Sequence, residues 1–339
     1  MLHGGEIYDK NITHDLSVSL NPYPVPETVR KALTEAVEKA DRYPDITQSA
    51  FRKSVAEAEN KVSGVIISPD NIIGANGASE LIFAIVQSLK PKNVLLVEPG
   101  FLGYRHALNF LDDVNIREYY LKEEEDFALT EDFLGYIDDE TELVIIANPN
   151  NPTGRCIEEE LLEKIIKKSA AAGTALMIDE SFLYLSEAIP CTVKYVERQA
   201  GLFIVSSYTK LFSIPGVRVG YAIANSSDIN RLKRFLPEWN MSLPAQLAGE
   251  ACAKVMISTD YIMASRELIR VKRRKLKEIF TDKGCKVYPS DTCFILVCSS
   301  EDLHKAYLDK NILIRDCGNF RGLGKGYYRI GMSKADPLL

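Results

Sequence analysis

The stretch LFIVSSYTKLFSIPGVRVGYAIA, Leu202 to Ala224, sets Lys210 between two apolar runs, with Ser207 and Thr209 just before it and Arg218 after it. A lysine amine forms a Schiff base with an aldehyde, and does so best when partial desolvation lowers its pKa. Upstream, the apolar run ALMI ends on Asp179. A carboxylate emerging from a buried strand calls for a cation, such as a protonated ring nitrogen. Further upstream, NGASE (Asn76 to Glu80) leads from the run NIIGA into a helical pattern. A glycine-led turn into a helix offers free backbone N–H groups and the positive end of a dipole to a phosphate. Ser207, Thr209 and Arg218 add hydroxyl donors and a charged fork for the same anion. An aldehyde, a pyridine ring and a phosphate on one molecule describe pyridoxal phosphate, which draws electrons from a carbanion at a substrate Cα.

Singly, each piece has a plainer reading. A lysine after a strand is ordinarily on the surface, an aspartate at a strand end is commonly a helix N-cap, and NPTG is often only a turn. Phe101, in PGFLGY (Pro99 to Tyr104), reads alone as core, and helix packing accounts equally well for Tyr104 and His106. Their joint order along the chain is what raises the chemistry above these readings.

The elements that must position them follow from periodicity. Short apolar runs (NIIGA, NVLLVE, LVIIANP, ALMIDE, LFIVSS, VRVGYAIA) alternate with longer amphipathic ones such as SELIFAIVQSLK and EEELLEKIIKKSAAAG. This pattern predicts an α/β fold, a mostly parallel sheet with helices on both faces, and Gly173 as a helix C-cap. After about residue 245 it changes to one long polar helix, Tyr261 to Phe280, and three strand-like runs, CFILVC, ILIRDC and YYRIGMS. We expect a large domain over 22–245 and a smaller α+β domain from 1–21 and 246–339. Ligands of open parallel sheets bind at the carboxyl ends of the strands, where the polar residues named above fall.

With these motifs in place, the chain resembles the pyridoxal-phosphate enzymes of the aspartate-aminotransferase fold over nearly its whole length. The matches are RYPD (Arg42 to Asp45), NGASE, NPNNPTG (Asn148 to Gly154), IDESF and SYTKLFSIPGVRVGY. The resemblance implies that Lys210 carries the cofactor aldehyde, Asp179 meets the pyridine nitrogen, Asn151 bonds the ring hydroxyl and Phe101 stacks on the ring. It implies a phosphate on the amides of Ala78 and Ser79 with Ser207, Thr209 and Arg218 around it. It also implies that Tyr43 reaches a second subunit's phosphate, hence a homodimer with shared active sites.

Within the fold, the sequence is similar both to threonine-phosphate decarboxylases and to histidinol-phosphate aminotransferases. HGG (His3 to Gly5), DESF with Phe182 where the aminotransferases carry tyrosine, and ILIRDCGNFRGLGKGYYRI (Ile312 to Ile330) favour the decarboxylases. That resemblance implies decarboxylation of O-phospho-L-threonine to an aminopropanol phosphate, a step in making the side chain of cobalamin. Arg315 and Arg329 would clamp the substrate's anionic groups, with His3, Gly4, Ser19 and Asn21 also on the substrate side. Ser19 departs from the family, which has asparagine there, and the chain ends at Leu339 where relatives continue into a helix. The alternatives are a histidinol-phosphate type of transamination with a 2-oxo acid and, more remotely, a non-catalytic cofactor-binding regulatory domain.

Bulk properties bound the rest. The 339 residues are 46% hydrophobic and 26% charged, enough for two ordinary cores. A net charge of −6 and the absence of a concentrated basic face argue against nucleic acid, and RVKRRKLKEIF reads as a solvated helix face. Seven scattered cysteines with no CxxC pair and few histidines predict reduced thiols and no metal. An N-terminus without the apolar core of a signal peptide, and no apolar run of spanning length, predict a cytoplasmic protein.

Overall fold

Consecutive apolar positions, as in NVLLVE or LFIVSS, suit strands covered on both faces. In the computed structural model, which describes residues 4–187, 190–335 and 338, such runs form the centre of a seven-stranded sheet. After a short β1 (His14–Asp15), its strands are β2 (Ile72–Ala75), β3 (Asn93–Glu98), β4 (Asn115–Tyr120), β5 (Leu143–Ala147), β6 (Ala175–Asp179), β7 (Leu202–Ser207) and β8 (Gly220–Ile223). The spatial order is β2-β8-β7-β6-β5-β3-β4. Only β8 runs against its neighbours.

Successive residues of one strand enter different cores, as the pleat requires. Leu176 and Ile178 of β6 join one buried cluster, while Ala175 and Met177 join the other. The helices begin with α1 (Glu27–Glu38), α2 (Ser49–Ser63), α3 (Ala78–Leu89), α4 (Leu102–Leu108) and α5 (Glu159–Ala172). They continue with α6 (Tyr208–Leu211), α7 (Ser226–Leu232), α8 (Leu243–Ser258), α9 (Tyr261–Asp282) and α10 (Leu303–Leu308). Helix α5 stops at Gly173, whose φ of +69° is the left-handed cap expected of that glycine. The division expected at 245 falls inside the first turn of α8, which packs along α1 and α2.

A second, antiparallel sheet joins β9 (Lys286–Val287), β10 (Phe294–Cys298), β12 (Arg315–Asp316) and β13 (Tyr327–Gly331) in the order β12-β13-β10-β9, while β11 (Ile312–Leu313) pairs in parallel with β1. ILIRDC is therefore two strands, because the chain changes partner at Ile314. The strand β4 was not legible as one: it lies at the sheet edge, where its half-exposed residues lack an unbroken apolar run. All seven cysteines are free. Among the described residues, no helix is long and apolar enough to cross a membrane.

Two carboxylates lie buried beneath the strand ends. Glu59 of α2 accepts hydrogen bonds from the Tyr184 and Tyr221 hydroxyls at 2.7 and 2.5 Å, and Glu180, just after β6, accepts from Thr192 Oγ1 at 2.6 Å. Neither has a cationic partner among the described residues. Burial, reinforced by the neighbouring carboxylates of Glu59 and Asp179, pushes the Glu180 carboxyl up to about 8. Between the ordinary carboxyl range and pH 8, the folded chain thus keeps a proton that the unfolded chain releases. Stability must fall across that window, by up to about 1.4 kcal/mol per pH unit, and level off above it. Glu180→Gln has no such proton to lose. Its melting temperature should therefore gain on the wild type between pH 5 and pH 8, and an equal difference at both pH values would show that Glu180 is ionised in the native protein.

Candidate active site

The carboxyl ends of β2, β5, β6 and β7 open on a cavity of about 200 Å³. It is lined by Ala78, Ser79, Phe101, Asn151, Asp179, Ser207, Thr209, Lys210 and Arg218, and on the other side by Gly4, Ser19, Arg315 and Arg329. Residues scattered over more than three hundred positions thus meet as their strand ends predicted. Three expected residues do not join them in the described chain. Tyr43 is 81% exposed and leans on the Trp239 ring at 5.1 Å, Asn21 is buried elsewhere, and His3 lies outside the described residues.

One end of the cavity is built for an anion. Gly77, at φ +79°, caps α3, so the N–H groups of Ala78 and Ser79 fall in the first turn, where a helix supplies no acceptors. The approach needs glycine twice: a Cβ on Gly220 would stand 2.8 Å from Ala78 N, and one on Gly77 would stand 2.8 Å from Arg218 Nη2. Arg218 is itself left-handed (φ 59°) and, among the described residues, donates only to the carbonyls of Pro215 and Asn76, at 3.1 and 3.3 Å. The Ser207 hydroxyl is within donating distance of Val219 O at 3.1 Å, and its oxygen accepts from Thr209 N at 3.2 Å. It also lies 2.7 Å from Thr209 Oγ1, a contact in which either hydroxyl can donate, so the two share two protons between Val219 O, each other and the cavity that both line.

Deeper in, Asp179 accepts from the Ser181 amide at 3.0 Å through Oδ1 and from the Tyr104 hydroxyl at 2.7 Å through Oδ2. Tyr104 is 2% exposed, and burial beside the Asp179 charge raises its pKa well above the usual phenol value. Sequence reasoning left Tyr104 to helix packing. The available signal was its position one turn after Phe101 in α4, which aims both rings at the cavity, 5.4 Å apart and edge to face. Lys210 enters from α6. Its Nζ has no hydrogen-bond partner among the described residues and lies 5.7 Å from the Phe182 ring centre. Burial, then the nearby Arg329 charge, lower its pKa to about 8.

The far side carries two guanidinium groups. Arg315 of β12 stands directly across the ladder from Arg329 of β13, an arrangement that like charges disfavour. Arg329 donates to Asn151 Oδ1 at 2.5 Å and to Ser17 O at 2.7 Å, lies 5.4 Å from the Phe294 ring centre, and leaves its Nε unpartnered among the described residues. Burial lowers the pKa of both arginines. Asn151, expected to bond a ring hydroxyl, has its carbonyl oxygen on Arg329 and keeps its NH2 for that contact. The Ser19 hydroxyl, 2% exposed, also lacks a partner among the described residues. Gly4 closes over Ser17 so tightly that a Cβ would fall 2.2 Å from its carbonyl oxygen.

Asn21 is corrected to a structural role. Its Nδ2 donates to Leu211 O and Ser265 Oγ at 2.7 and 2.8 Å, its Oδ1 accepts from Tyr23 N, and its own amide donates to Lys210 O. These bonds brace the helix that carries Lys210, and leave the side chain no capacity for a substrate.

Comparison with known proteins shows the family and the fold. The family model described as aminotransferase class I and II matches residues 12–337. Threonine-phosphate decarboxylase of Salmonella typhimurium is 28% identical over 95% of this chain and 87% of its own. Histidinol-phosphate aminotransferase of Caldanaerobacter subterraneus is 31% identical over 96% of this chain and 91% of its own. The crystal structure of the histidinol-phosphate aminotransferase from Clostridium acetobutylicum superposes with a TM-score of 0.84 at 27% identity, over 94% of each chain.

A lysine whose amine titrates near pH 8 should be reactive where ordinary lysines are protonated. The rate at which the cofactor-free protein captures pyridoxal phosphate on Lys210, measured by borohydride trapping and peptide mass spectrometry, should rise with pH to a midpoint of about 8. A midpoint in the ordinary lysine range would mean that the amine is hydrated.

Proposed function

The chain belongs to the class I and II aminotransferase family and is a pyridoxal-phosphate-dependent enzyme, and we propose that it decarboxylates a phosphorylated amino acid, O-phospho-L-threonine first among the candidates. The residues present fit the cofactor. In this reading its phosphate rests on the amides of Ala78 and Ser79, the Thr209 hydroxyl and Arg218, which face an anion and have no carboxylate partner among the described residues. Asp179 meets the ring nitrogen, oriented by Tyr104; Phe101 lies against the ring; the Asn151 NH2 reaches the ring hydroxyl; and Lys210 takes the aldehyde. Tyr43, exposed beside Trp239, suits a residue that completes the site of a second subunit, which makes the working form a homodimer.

Pyridoxal phosphate, when bound, supplies a sink for the electron pair left at the substrate Cα. The chain decides which Cα bond breaks, by orienting the substrate. Arg329 carries the reading: a cation 7% exposed, with no carboxylate partner among the described residues and an unused Nε, beside a second guanidinium on Arg315. An unpaired buried cation costs several kcal/mol, which an arriving anion offsets. Two facing guanidinium groups suit a substrate that bears both a carboxylate and a phosphate, as a phosphoamino acid does. Release of CO2 leaves the bonding pair behind, and Cα must then take up a proton. With its amine near 8, Lys210 is largely protonated at neutral pH, so it can hold that proton at Nζ and deliver it.

Two outcomes are expected. Mixed with O-phospho-L-threonine, the cofactor-loaded protein should release CO2 and an amino alcohol phosphate through repeated turnovers. If it releases no CO2 and instead passes the amine of L-histidinol phosphate to a 2-oxo acid, the decarboxylase reading is lost and its aminotransferase relatives give the reaction. Tyr104→Phe removes a hydrogen bond to a buried charge, a loss of about 2 kcal/mol or some 30-fold in pyridoxal phosphate affinity by equilibrium titration. Unchanged affinity would release Tyr104 from its role in holding Asp179.

A further inference from the structure

We propose that Arg321 is a positioning residue for the substrate's anionic group, because its ion pair with Glu118 fixes the loop that holds Arg315 in place. The inference rests on the reading of Arg315 as an anion-binding residue. Residues 317–326, between β12 and β13, read CGNFRGLGKG, with four glycines in ten positions. Glycine-rich backbone loses the most conformational freedom on ordering, so a loop of this composition needs tethers to keep one geometry.

The Arg315 guanidinium depends on that geometry. Its Nη2 donates to Asn319 Oδ1 at 2.8 Å, and it lies 5.1 Å from the ring centre of Phe320, itself 4% exposed and part of the cavity wall. Arg321, the next residue, points away from the cavity to the edge of the large sheet. There its Nε and Nη2 approach the two oxygens of Glu118, on β4, at 2.6 and 3.0 Å, a fork-on-fork pair.

Glu118 is well placed to serve as an anchor. Its carboxylate is held from the other side by Arg105 of α4 and by the Tyr120 hydroxyl. Arg105 also contacts Glu98 Oε1 at 3.0 Å, and Glu98 Oε2 accepts from the Gly100 amide at 2.9 Å, one residue before Phe101. Arg321, Glu118, Arg105 and Glu98 thus form one chain of alternating charge. It runs from the loop under the substrate side of the cavity to the turn that carries Phe101. Gly322 presses against Tyr120 beside it, where a Cβ would come within 2.9 Å of the ring. A half-exposed ion pair adds little to global stability, but it can select one loop conformation among many of similar energy.

The test uses the cofactor-loaded full chain. Arg321→Met, which keeps the apolar stem, should raise KM for O-phospho-L-threonine about fivefold, with kcat and pyridoxal phosphate affinity unchanged. Arg321→Lys, which keeps the charge without the fork, should fall between. Glu118→Gln should reproduce the effect, and the double variant should be no worse than either single one. An unchanged KM in Arg321→Met, additive effects in the double variant, or a parallel loss of cofactor affinity would each overturn the proposal. If the wild type takes neither O-phospho-L-threonine nor L-histidinol phosphate, the reading of Arg315 fails, and this inference falls with it.

Discussion

Positive charge held out of water, without enough negative charge to match it, is the constraint on which the site depends. Lys210 and Arg329 face one cavity with no ion-pair partner among the described residues, and the N-terminus of α3 adds a positive dipole end. Cations in such a setting either lose their protons or wait for an anion. Lysine takes the first course in part, since its pKa falls to about 8, while arginine keeps its proton even where burial lowers its pKa and takes the second. The same burial therefore suits a nucleophilic amine at one point and the reception of an anion at another. The scaffold tolerates this because the strands beneath are apolar on both faces and the helices on both sides bury them.

The division of labour between the two sheets follows. Strand ends of the large sheet present Asp179, Lys210 and the α3 turn, groups suited to a planar phosphorylated cofactor. The small sheet presents Arg315 and Arg329, which reach the same cavity from the opposite side. Arg329 touches Asn151 of the large sheet's loop and Ser17 of the N-terminal segment, so one guanidinium binds three parts of the chain together. A substrate anion at its free Nε would tighten that junction.

Much of this was legible in the sequence, and for a physical reason. Lys210, Asp179 and the NGASE turn each follow an apolar run, and in a parallel sheet the ends of such runs converge. What was not legible depends on where side chains point and on contacts between distant segments. Tyr104 looked like any helical tyrosine until its hydroxyl was seen on Asp179. Asn21 sits beside a family motif, yet its amide is consumed by Leu211 and Ser265. Ser207 and Thr209 have the residue type of anion donors, but they also bond each other and reach Val219 O, a competition that only the fold reveals. The break of ILIRDC at Ile314 followed from a partner nearly three hundred residues away, which no local pattern carries.

The choice of reaction is a finer matter than the fold, and the geometry shows why. Every group that meets the cofactor would serve decarboxylation and transamination alike, since both need the ring held, its nitrogen charged and Lys210 nearby. The two differ only in which Cα bond the substrate side turns toward the ring. In the reading proposed above, that turn is set by where Arg315, Arg329 and Ser19 would hold the substrate's anionic ends. Those residues stand on β12, on β13 and in the segment after β1, apart from the strand ends that present Asp179 and Lys210. In that reading, small shifts of the clamp exchange one reaction for the other without touching the groups at the strand ends, which fits the similar identity of this chain to relatives named for each reaction.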